Sequence, residues 1–228
     1  MASVSIRQVV KNYDLGKTVV NALRGINLEI SEGEFVTFAG ASGSGKSTLL
    51  NLIGCIDSPT SGDIWVGDVK VTGLSERELN KLRLYTIGFI FQSFNLIPVL
   101  NIYENVELPL LIMKNVTKEE RAERVNYFLN AVGLSSQIKR KPSELSGGQR
   151  QRVAVARALV TKPRVVLADE PTANLDSKTG IEIIEMMHEI SRNEKTTFIF
   201  STHDTKVMQR ADRIFSMEDG LIKVEENP

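Results

Sequence analysis

The sequence predicts an α/β fold with a mainly parallel sheet, an antiparallel β portion and an inserted set of helices. Short β-rich runs alternate with helix-length amphipathic segments at both ends of the 228-residue chain, as in proteins with parallel sheets. Residues 95–158 instead carry mostly helical patterns. No internal repeat, low-complexity tract or linker interrupts the sequence. We therefore expect one domain over 1–228, with a core lobe at about 1–94 and 159–228 and a helical lobe at about 95–158.

The first part of the chain is rich in strand signals. β-branched and aromatic runs predict three strands, at 4–10, 26–30 and 35–39. Residues 31–34 ("SEGE") form a turn between the last two strands. The apolar spacing of 47–56 predicts a helix soon after the third strand. Gly67 and Asp68 separate two short β-rich runs, which indicates a hairpin.

Capping boxes and apolar runs mark the elements of the remaining chain. Ser75 and Glu78 form one capping-box pattern, for a helix that runs to about Tyr85, and Thr117 and Glu120 form another. A helix with one apolar face is expected at 178–193. The apolar runs predict strands at 87–91, 164–169, 196–200 and 213–217.

The composition excludes several classes of protein. Lys+Arg and Asp+Glu are both 28, so no overall basic charge favours binding to nucleic acid or to an anionic membrane. No apolar run reaches the roughly 18–20 residues that cross a bilayer, and the first residues do not resemble a signal peptide. The single Cys55 excludes an internal disulfide and is expected to lie buried in a helix. We expect a cytosolic chain that reaches a membrane only through a partner.

The segment "GASGSGKS" matches the complete phosphate-loop pattern between a predicted strand and a predicted helix. Glycines let backbone N–H groups turn inward around an anion, and the helix start adds its dipole. Lys46 would place a charge on the β- and γ-phosphates, and the Ser47 hydroxyl would ligate Mg²⁺. The predicted phosphate-binding residues are Gly40, Ala41, Ser42, Gly43, Ser44, Gly45, Lys46 and Ser47.

A second chemical motif is "VVLADE", an apolar strand that ends in two carboxylates. Such a strand delivers Asp169 to the metal beside the phosphates. Glu170 points elsewhere and is the candidate general base for the attacking water. The alternative is a pair of acidic residues that merely end a strand, and the phosphate loop in the same chain favours the catalytic interpretation.

Four further side chains are ambiguous by themselves. Gln92 follows a strand, where its amide would touch Mg²⁺ or the water, although a loop glutamine is usually only solvated. His203 ends the run "TTFIFSTH", at the sheet edge where ligands bind in open α/β folds. His188 lies in the middle of a helix and is interpreted as structural. Tyr13 is placed either to stack on adenine or to pack in the core.

The segment "LSGGQ" raises a different question, because it is a second glycine-rich helix start in a chain with one phosphate loop. Ser146 and Gln149 fit a capping box, so free N–H groups and a positive dipole end are expected there. One γ-phosphate cannot easily face two helix starts from two lobes of one chain. A two-fold dimer resolves this, because each chain offers its phosphate loop to one ATP and its "LSGGQ" to the other.

Together these motifs resemble the ATP-binding subunits of ABC transporters over essentially the whole chain. The resemblance implies a phosphate-loop NTPase core of the RecA-like kind. It implies adenine stacking by Tyr13, phosphate and metal binding by Lys46, Ser47 and Thr48, and completion of the metal environment by Gln92 and Asp169. It also implies that Glu170 is the base and that His203 contacts the γ-phosphate. The partner's ATP is contacted by Ser146, Gly147, Gly148 and Gln149, while Asp176 joins the two active sites.

"FQSFNLIP", "YENVELPLL" and "PSELSGGQRQRVAVARAL" resemble the macrolide-export and lipoprotein-releasing branch. Ala41 and Ala173 depart from the usual residues outside the chemical positions. The resemblance implies an ATPase that uses ATP and Mg²⁺, dimerises on ATP and drives a membrane permease with a large periplasmic domain. It places the chain at the cytoplasmic face of the bacterial inner membrane, without nucleic acid. The alternatives are a cell-division ATPase that regulates wall hydrolases and a soluble ABC ATPase of DNA repair or translation.

The segment "SFNLIPVL" is unusually apolar for a loop between two lobes. Internal packing is one explanation. The other is a groove beside Gln92 that receives a short helix of a permease, with Phe94 and Leu96 lining it.

Overall fold

A computed structural model describes residues 2–16 and 18–226 of the chain. Its strands are β1 (Ala2–Leu15), β2 (Thr18–Ser31), β3 (Phe35–Ala39), β4 (Ser61–Val66), β5 (Val69–Lys70), β6 (Ile87–Ile90), β7 (Val165–Ala168), β8 (Thr197–Thr202), β9 (Arg213–Glu218) and β10 (Leu221–Glu226). Four of them form an antiparallel sheet in the order β2-β1-β4-β5. The other six form a sheet in the order β10-β9-β3-β8-β7-β6, in which only the β10–β9 pair is antiparallel.

The helices are α1 (Lys46–Ile53), α2 (Glu76–Thr86), α3 (Ile102–Ile112), α4 (Lys118–Ala131), α5 (Gly147–Leu159), α6 (Ser177–Glu194) and α7 (Thr205–Met208). Helices α3, α4 and α5 follow one another between β6 and β7 and pack against each other. The predicted α/β fold, with a mainly parallel sheet, an antiparallel β portion and inserted helices, is confirmed. None of the helices in the described ranges is long and apolar enough to cross a lipid bilayer.

The central strands β3, β7 and β8 of the six-stranded sheet are buried along their whole length, which explains why they read as nearly continuous apolar runs. In β8, Phe198 and Phe200 face a core that contains α3 to α6, while Ile199 faces the opposite core. That opposite core holds Leu49 and Leu52 of α1 together with the antiparallel sheet. Helix α1 therefore lies between the two sheets, and the phosphate loop at its start is fixed by packing on both sides.

The observed elements differ from the predicted ones in three places. β1 and β2 extend well beyond 4–10 and 26–30, because they pair as one long hairpin whose register shifts at bulges. α7 and β10 were not predicted, since both are short and only half of their residues are apolar. Cys55 is buried as expected but lies in the turn after α1, at φ 56°, and not in a helix.

The end of α1 has a steric cause. A Cβ at Gly54 would come within 2.4 Å of the Phe89 ring, so only glycine allows α1 to end against β6. The chain then turns through Cys55, whose carbonyl accepts a hydrogen bond from Arg83 of α2. Burial raises the pKa of the Cys55 thiol to about 11.

Candidate active site

A cavity of about 1020 Å³ opens between the β1–β2 hairpin and the carboxyl edge of the six-stranded sheet. Its position is the one expected for a ligand site in an open α/β sheet. Most of the predicted nucleotide-binding and catalytic side chains line it. The lining residues are Tyr13, Val19, Val20, Asn21, Ala22, Arg24, Ala41, Ser42, Gly43, Gly45, Lys46, Ser47, Thr48, Gln92, Glu170, Ala173, His203, Asp219 and Gly220.

The phosphate loop connects β3 to α1 in a conformation that only glycine tolerates at two positions. Gly40 has φ 155°, and a Cβ there would lie 2.3 Å from the Met217 carbonyl. Gly45 is the N-cap of α1 with φ 104° and no side-chain cap, so the first N–H groups of α1 point toward the cavity side without a competing acceptor from the cap. The Lys46 ammonium donates to the carbonyls of Gly40 (2.7 Å) and Ala41 (2.9 Å), which folds this cation back over the loop.

A chain of hydrogen bonds joins the phosphate loop to the acidic end of β7. The Ser47 hydroxyl donates to Asp169 Oδ1 (2.9 Å), and the Ser201 hydroxyl donates to the same oxygen (2.6 Å). Ser201 Oγ also accepts from the backbone N–H of Glu170 (2.9 Å). Asp169 itself lies behind Ser47 and is not among the lining residues. The Ser201 hydroxyl thus contacts both acidic residues, since it donates to the Asp169 carboxylate and accepts from the Glu170 backbone.

Glu170 and His203 meet at the cavity wall. His203 Nδ1 lies 3.0 Å from both carboxylate oxygens of Glu170, and the imidazole remains 67 % exposed while the carboxylate is mostly buried. Glu170 has φ 47°, a left-handed conformation that is strained for a residue with a side chain. Strain of this kind persists where the surrounding contacts hold it and is concentrated at functional sites.

Gln92 follows β6 and presents its side chain to the same cavity. Its backbone carbonyl accepts from the Asn174 side chain (2.8 Å), which ties the loop after β6 to the loop after β7. Gln92 is exposed, so its amide is free to reach a ligand in the cavity. Its assignment as a metal-contacting residue stays a prediction.

Tyr13 is held at the mouth of the cavity by side chains that the sequence did not reveal. Its hydroxyl donates to Asp57 Oδ2 (2.8 Å), and the Lys11 ammonium donates to Asp57 Oδ1 (2.7 Å). Although partial burial works against it, the hydrogen bonds from Lys11 and Tyr13 keep the pKa of Asp57 below 3.8. Burial, reinforced by the hydrogen bond to Asp57, raises the pKa of Tyr13 above 10.

The "LSGGQ" segment caps α5 as predicted. The Ser146 N–H donates to Gln149 Oε1 (3.0 Å) and the Gln149 N–H donates to Ser146 Oγ (3.3 Å). A Cβ at Gly148 would lie 2.6 Å from Thr179 Cγ2, so this helix start packs directly on the start of α6. None of the residues 146–149 lines the cavity of this chain.

Asp176 likewise lies outside the cavity of its own chain. It is the N-cap of α6, and its carboxylate accepts from the Thr179 N–H (3.0 Å). Hydrogen bonds from the Thr179 side chain and then from its backbone N–H lower the pKa of Asp176 below its ordinary value. Within this chain Asp176 therefore has a capping role, and its role between two active sites stays a prediction.

A smaller groove of about 270 Å³ lies between the sheet and the inserted helices. It is lined by Arg83, Leu84, Ile87, Gly88, Phe89, Phe91, Asn95, Pro109, Arg157, Ala158 and Thr161. Neither Phe94 nor Leu96 lines this groove, which therefore gives no support to the hypothesis that the two side chains receive a permease helix. The Phe94 ring lies under the Arg150 guanidinium, 5.6 Å from it, and Leu96 packs on the core, so both side chains have internal partners.

Two residues with important contacts were missed in the sequence. Ser201 is the fifth residue of β8, and the only signal was a polar residue close to the end of an otherwise apolar strand. Asp57 lies in the segment between α1 and β4, where an aspartate carries no signal of its own. His188 was interpreted correctly as structural, since it stacks on Phe35 with ring centroids 4.6 Å apart.

The polar groups in and beside the cavity fit a nucleoside triphosphate and a divalent cation that prefers oxygen ligands. Among the described residues Ser44 Oγ has no hydrogen-bond partner although it is buried in the phosphate loop, and the Lys46 ammonium contacts carbonyls of the same loop. The Ser47 hydroxyl, the Asp169 carboxylate and the Gln92 amide are the oxygen ligands that Mg²⁺ prefers. Within the described residues no group of three or more His, Cys, Asp or Glu side chains forms a dedicated metal cage.

The comparisons with known proteins give the family. The model of the ABC transporter family matches residues 23–173, and the chain therefore belongs to the ABC transporter family. It is an ABC ATPase, as the sequence predicted.

Relatives in three groups match nearly the whole chain. The uncharacterized ABC transporter ATP-binding protein MJ0796 of Methanocaldococcus jannaschii is 45% identical over 226 residues, which are 98% of this chain and 96% of that protein. The lipoprotein-releasing system ATP-binding protein LolD of Acinetobacter baylyi is 42% identical over 215 residues, 94% of each chain. The macrolide export ATP-binding/permease protein MacB of Bdellovibrio bacteriovorus is 43% identical over 223 residues, 98% of this chain but only 34% of that protein.

A solved structure of MJ0796, described as a dimeric post-hydrolysis state bound to ADP and Pi, has a TM-score of 0.89 at 44% identity and covers 98% of both chains. The similarities confirm membership of the branch of ABC ATP-binding subunits that includes lipoprotein-releasing and macrolide-export proteins.

Proposed function

We propose that this chain is the ATP-driven motor of a membrane complex that releases lipoproteins or exports macrolides or peptides. The observation that carries the catalytic part is the contact between His203 and Glu170 at the wall of the cavity formed by the phosphate loop. The names of the LolD and MacB relatives support the choice of substrates.

In the proposed mechanism, Glu170 Oε accepts a proton from the attacking water as the water oxygen forms a bond to the γ-phosphorus. The bond between this phosphorus and the β–γ bridging oxygen breaks, and ADP leaves with that oxygen. His203 holds the carboxylate in one orientation and contacts the γ-phosphate, while Lys46 supplies positive charge to the β- and γ-oxygens. The phosphate-loop residues Gly40–Thr48 bind the phosphates, and Tyr13 stacks on adenine. Mg²⁺, held by Ser47, Gln92 and Asp169, would neutralise the charge that develops on the phosphate oxygens.

The same proposal makes the working unit a two-fold dimer. Residues 146–149 and Asp176 do not line the cavity of their own chain, yet the "LSGGQ" helix start has the N–H groups and dipole suited to an anion. In a two-fold dimer each of these segments would meet the ATP of the other chain. The dimeric state described for MJ0796 supports this arrangement.

The movement of the inserted helices would carry the energy to the permease. We assign the core lobe to about 1–94 and 159–228 and the helical lobe to about 95–158. The groove that contains Phe89 and Phe91 lies between these lobes, beside the loop of Gln92, and is the proposed docking place of a cytoplasmic permease helix. Such docking would hold the chain at the cytoplasmic face of the inner membrane, against a permease with a large periplasmic domain.

The substitution Glu170→Gln tests the proposal. It removes the base and keeps the shape of the side chain, so ATP turnover should fall by roughly a hundred- to ten-thousandfold while ATP binding persists. Light scattering with ATP should then show a stable dimer. Glu185→Gln, on the exposed face of α6, is the matched control and should behave like the wild type. Normal turnover in Glu170→Gln would overturn the assignment of the base.

A further inference from the structure

The ring of Tyr13 is fixed from two directions. At its edge, the hydroxyl is tied to Asp57 Oδ2 at 2.8 Å. Over its face, the Lys11 ammonium lies 4.7 Å from the ring centroid, a distance at which a cation is attracted to an aromatic face. Lys11 and Tyr13 alternate by two along β1 and so project on the same side of the strand.

Lys11 is itself immobilised. Its side chain is only 11 % exposed, and the ammonium donates to Asp57 Oδ1 (2.7 Å) and to the Ser58 carbonyl (2.8 Å). Asp57 thus accepts from the Tyr13 hydroxyl on Oδ2, and from the Lys11 ammonium and the Ser58 N–H (2.7 Å) on Oδ1. The three side chains form a closed set of contacts that leaves the ring one orientation.

The ring keeps a free face. Tyr13 lines the large cavity, whereas neither Lys11 nor Asp57 does. The ammonium therefore covers the ring from outside the cavity, and the face toward the cavity stays available for a flat ligand. A nucleobase is the flat part of the proposed nucleotide.

The position of Asp57 links this ring to the phosphate loop. Asp57 follows α1, and the N–H groups of Ile56 and Asp57 both donate to the Asn51 carbonyl of that helix. The helix begins at Lys46, in the phosphate loop. Asp57, which holds the Tyr13 ring, and the phosphate loop therefore belong to one continuous, hydrogen-bonded segment of the chain.

We propose that Lys11 and Asp57 are positioning residues for nucleobase recognition, which set the orientation of the Tyr13 ring so that it stacks on adenine. This inference rests on the proposed function of Tyr13 and adds two residues that act through it. They contribute to binding of the base and not to binding of the phosphates or to the chemical step.

The experiment compares Lys11→Met, Asp57→Asn, Tyr13→Phe and Tyr13→Ala in the full chain. The KM for ATP should rise roughly tenfold or more in Tyr13→Ala, which loses the stacking surface. In the other three variants it should rise about three- to tenfold, because the ring remains but is no longer held. The kcat at saturating ATP should change less than about twofold. Inhibition by inorganic tripolyphosphate, which has no base, should be equal in all variants.

A matched control exists in the same antiparallel sheet. Lys70 pairs with Asp63 at 2.8 Å and also lies over an aromatic ring, that of Trp65, at 5.5 Å. The double variant Lys70→Met, Asp63→Asn removes an equivalent cluster away from the cavity. It should leave the KM for ATP unchanged, and it controls for any general weakening of the sheet.

Each other outcome overturns a definite statement. If Tyr13→Ala raises the KM for ATP but Lys11→Met and Asp57→Asn do not, the positioning role is wrong and the stacking role stands. If Tyr13→Ala leaves the KM unchanged, the stacking role itself fails. If tripolyphosphate inhibition weakens in parallel with the KM, the cluster acts through the phosphate loop, which also overturns the inference. If Lys11→Met or Asp57→Asn melts before assay, Tyr13→Phe decides the positioning role, because it removes one oxygen atom and keeps the ring.

Discussion

The imidazole Nδ1 of His203 lies 3.0 Å from both carboxylate oxygens of Glu170, so one ring nitrogen is shared by the two ends of the candidate base. A carboxylate held in this way cannot rotate freely. The backbone of Glu170 is also constrained, since it lies in the left-handed region. Orientation of a general base decides whether it reaches the proton of the attacking water.

His203→Ala should therefore lower kcat by roughly ten- to a hundredfold with a small change in KM, because it releases the Glu170 carboxylate without removing it. Steady-state ATPase assays measure both constants. His203→Gln, which retains a hydrogen-bond donor, should recover part of the loss. An increase in KM with unchanged kcat would show that His203 serves binding only.

Ser201→Ala should lower kcat by about ten- to a hundredfold, because a hydrogen bond to a charged group is worth about 1.5–3 kcal/mol and this hydroxyl contacts Asp169 and the Glu170 N–H. Thr37→Val is the matched control, since it removes a buried hydroxyl from the neighbouring strand that donates to the Phe200 carbonyl. Equal losses of activity in the two variants would show that the effect is one of stability, which thermal melting would reveal.

Ser146→Arg should abolish hydrolysis and spare the binding of a fluorescent ATP analogue by the monomer, if "LSGGQ" serves the ATP of the partner chain. Mixed with Lys46→Ala, the variant can form one competent composite site per heterodimer, and some activity should return. Ser135→Arg, an exposed serine among the inserted helices, is the control and should keep full activity. Loss of analogue binding by the Ser146→Arg monomer would place the segment at its own ATP.

His188 should make the protein less stable in mild acid. Burial lowers the pKa of His188 below 6.5, although Asp212, 3.3 Å from Nε2, works in the opposite direction. In the unfolded chain this histidine takes up a proton at about pH 6.5, and in the folded chain only at lower pH. The free energy of unfolding therefore keeps the full contribution of neutral His188 above about pH 6.5 and decreases as the pH falls below it. Urea unfolding at pH 7.5 and 5.5 should show a smaller loss in His188→Gln than in the wild type. Identical losses would contradict this explanation.

The sequence predicted the elements that have strong local signals. Residues 35–47 combine an apolar strand, a glycine-rich loop and a helix start, and residues 146–149 carry their own capping chemistry, so their structures follow from nearby residues. The support of the site could not be predicted in this way. Ser201 and Asp57 act through contacts with residues 32 and 44 positions away, and such contacts exist only after the strands have paired.

The apolar loop after Gln92 illustrates the same limit. Composition indicated that Phe94 and Leu96 needed an environment that covers their side chains, and the structure gives both of them internal contacts. Composition could not tell whether that environment was a partner or the chain itself. The structure supplies Arg150 for Phe94 and the core for Leu96, whereas the open groove is lined by Phe89 and Phe91 of the preceding strand region.

Helix α1 connects the phosphate loop to the segment that contains Asp57. Its eight residues span about 12 Å, from Lys46 at the phosphates to the segment that holds Tyr13. The residues proposed to bind the phosphates and those that hold Tyr13 would thus be connected by one helix of the core lobe. If Tyr13 stacks on adenine as proposed, the core lobe of one chain would contact both the base and the phosphates of ATP, and a second chain would add only its residues 146–149 and Asp176.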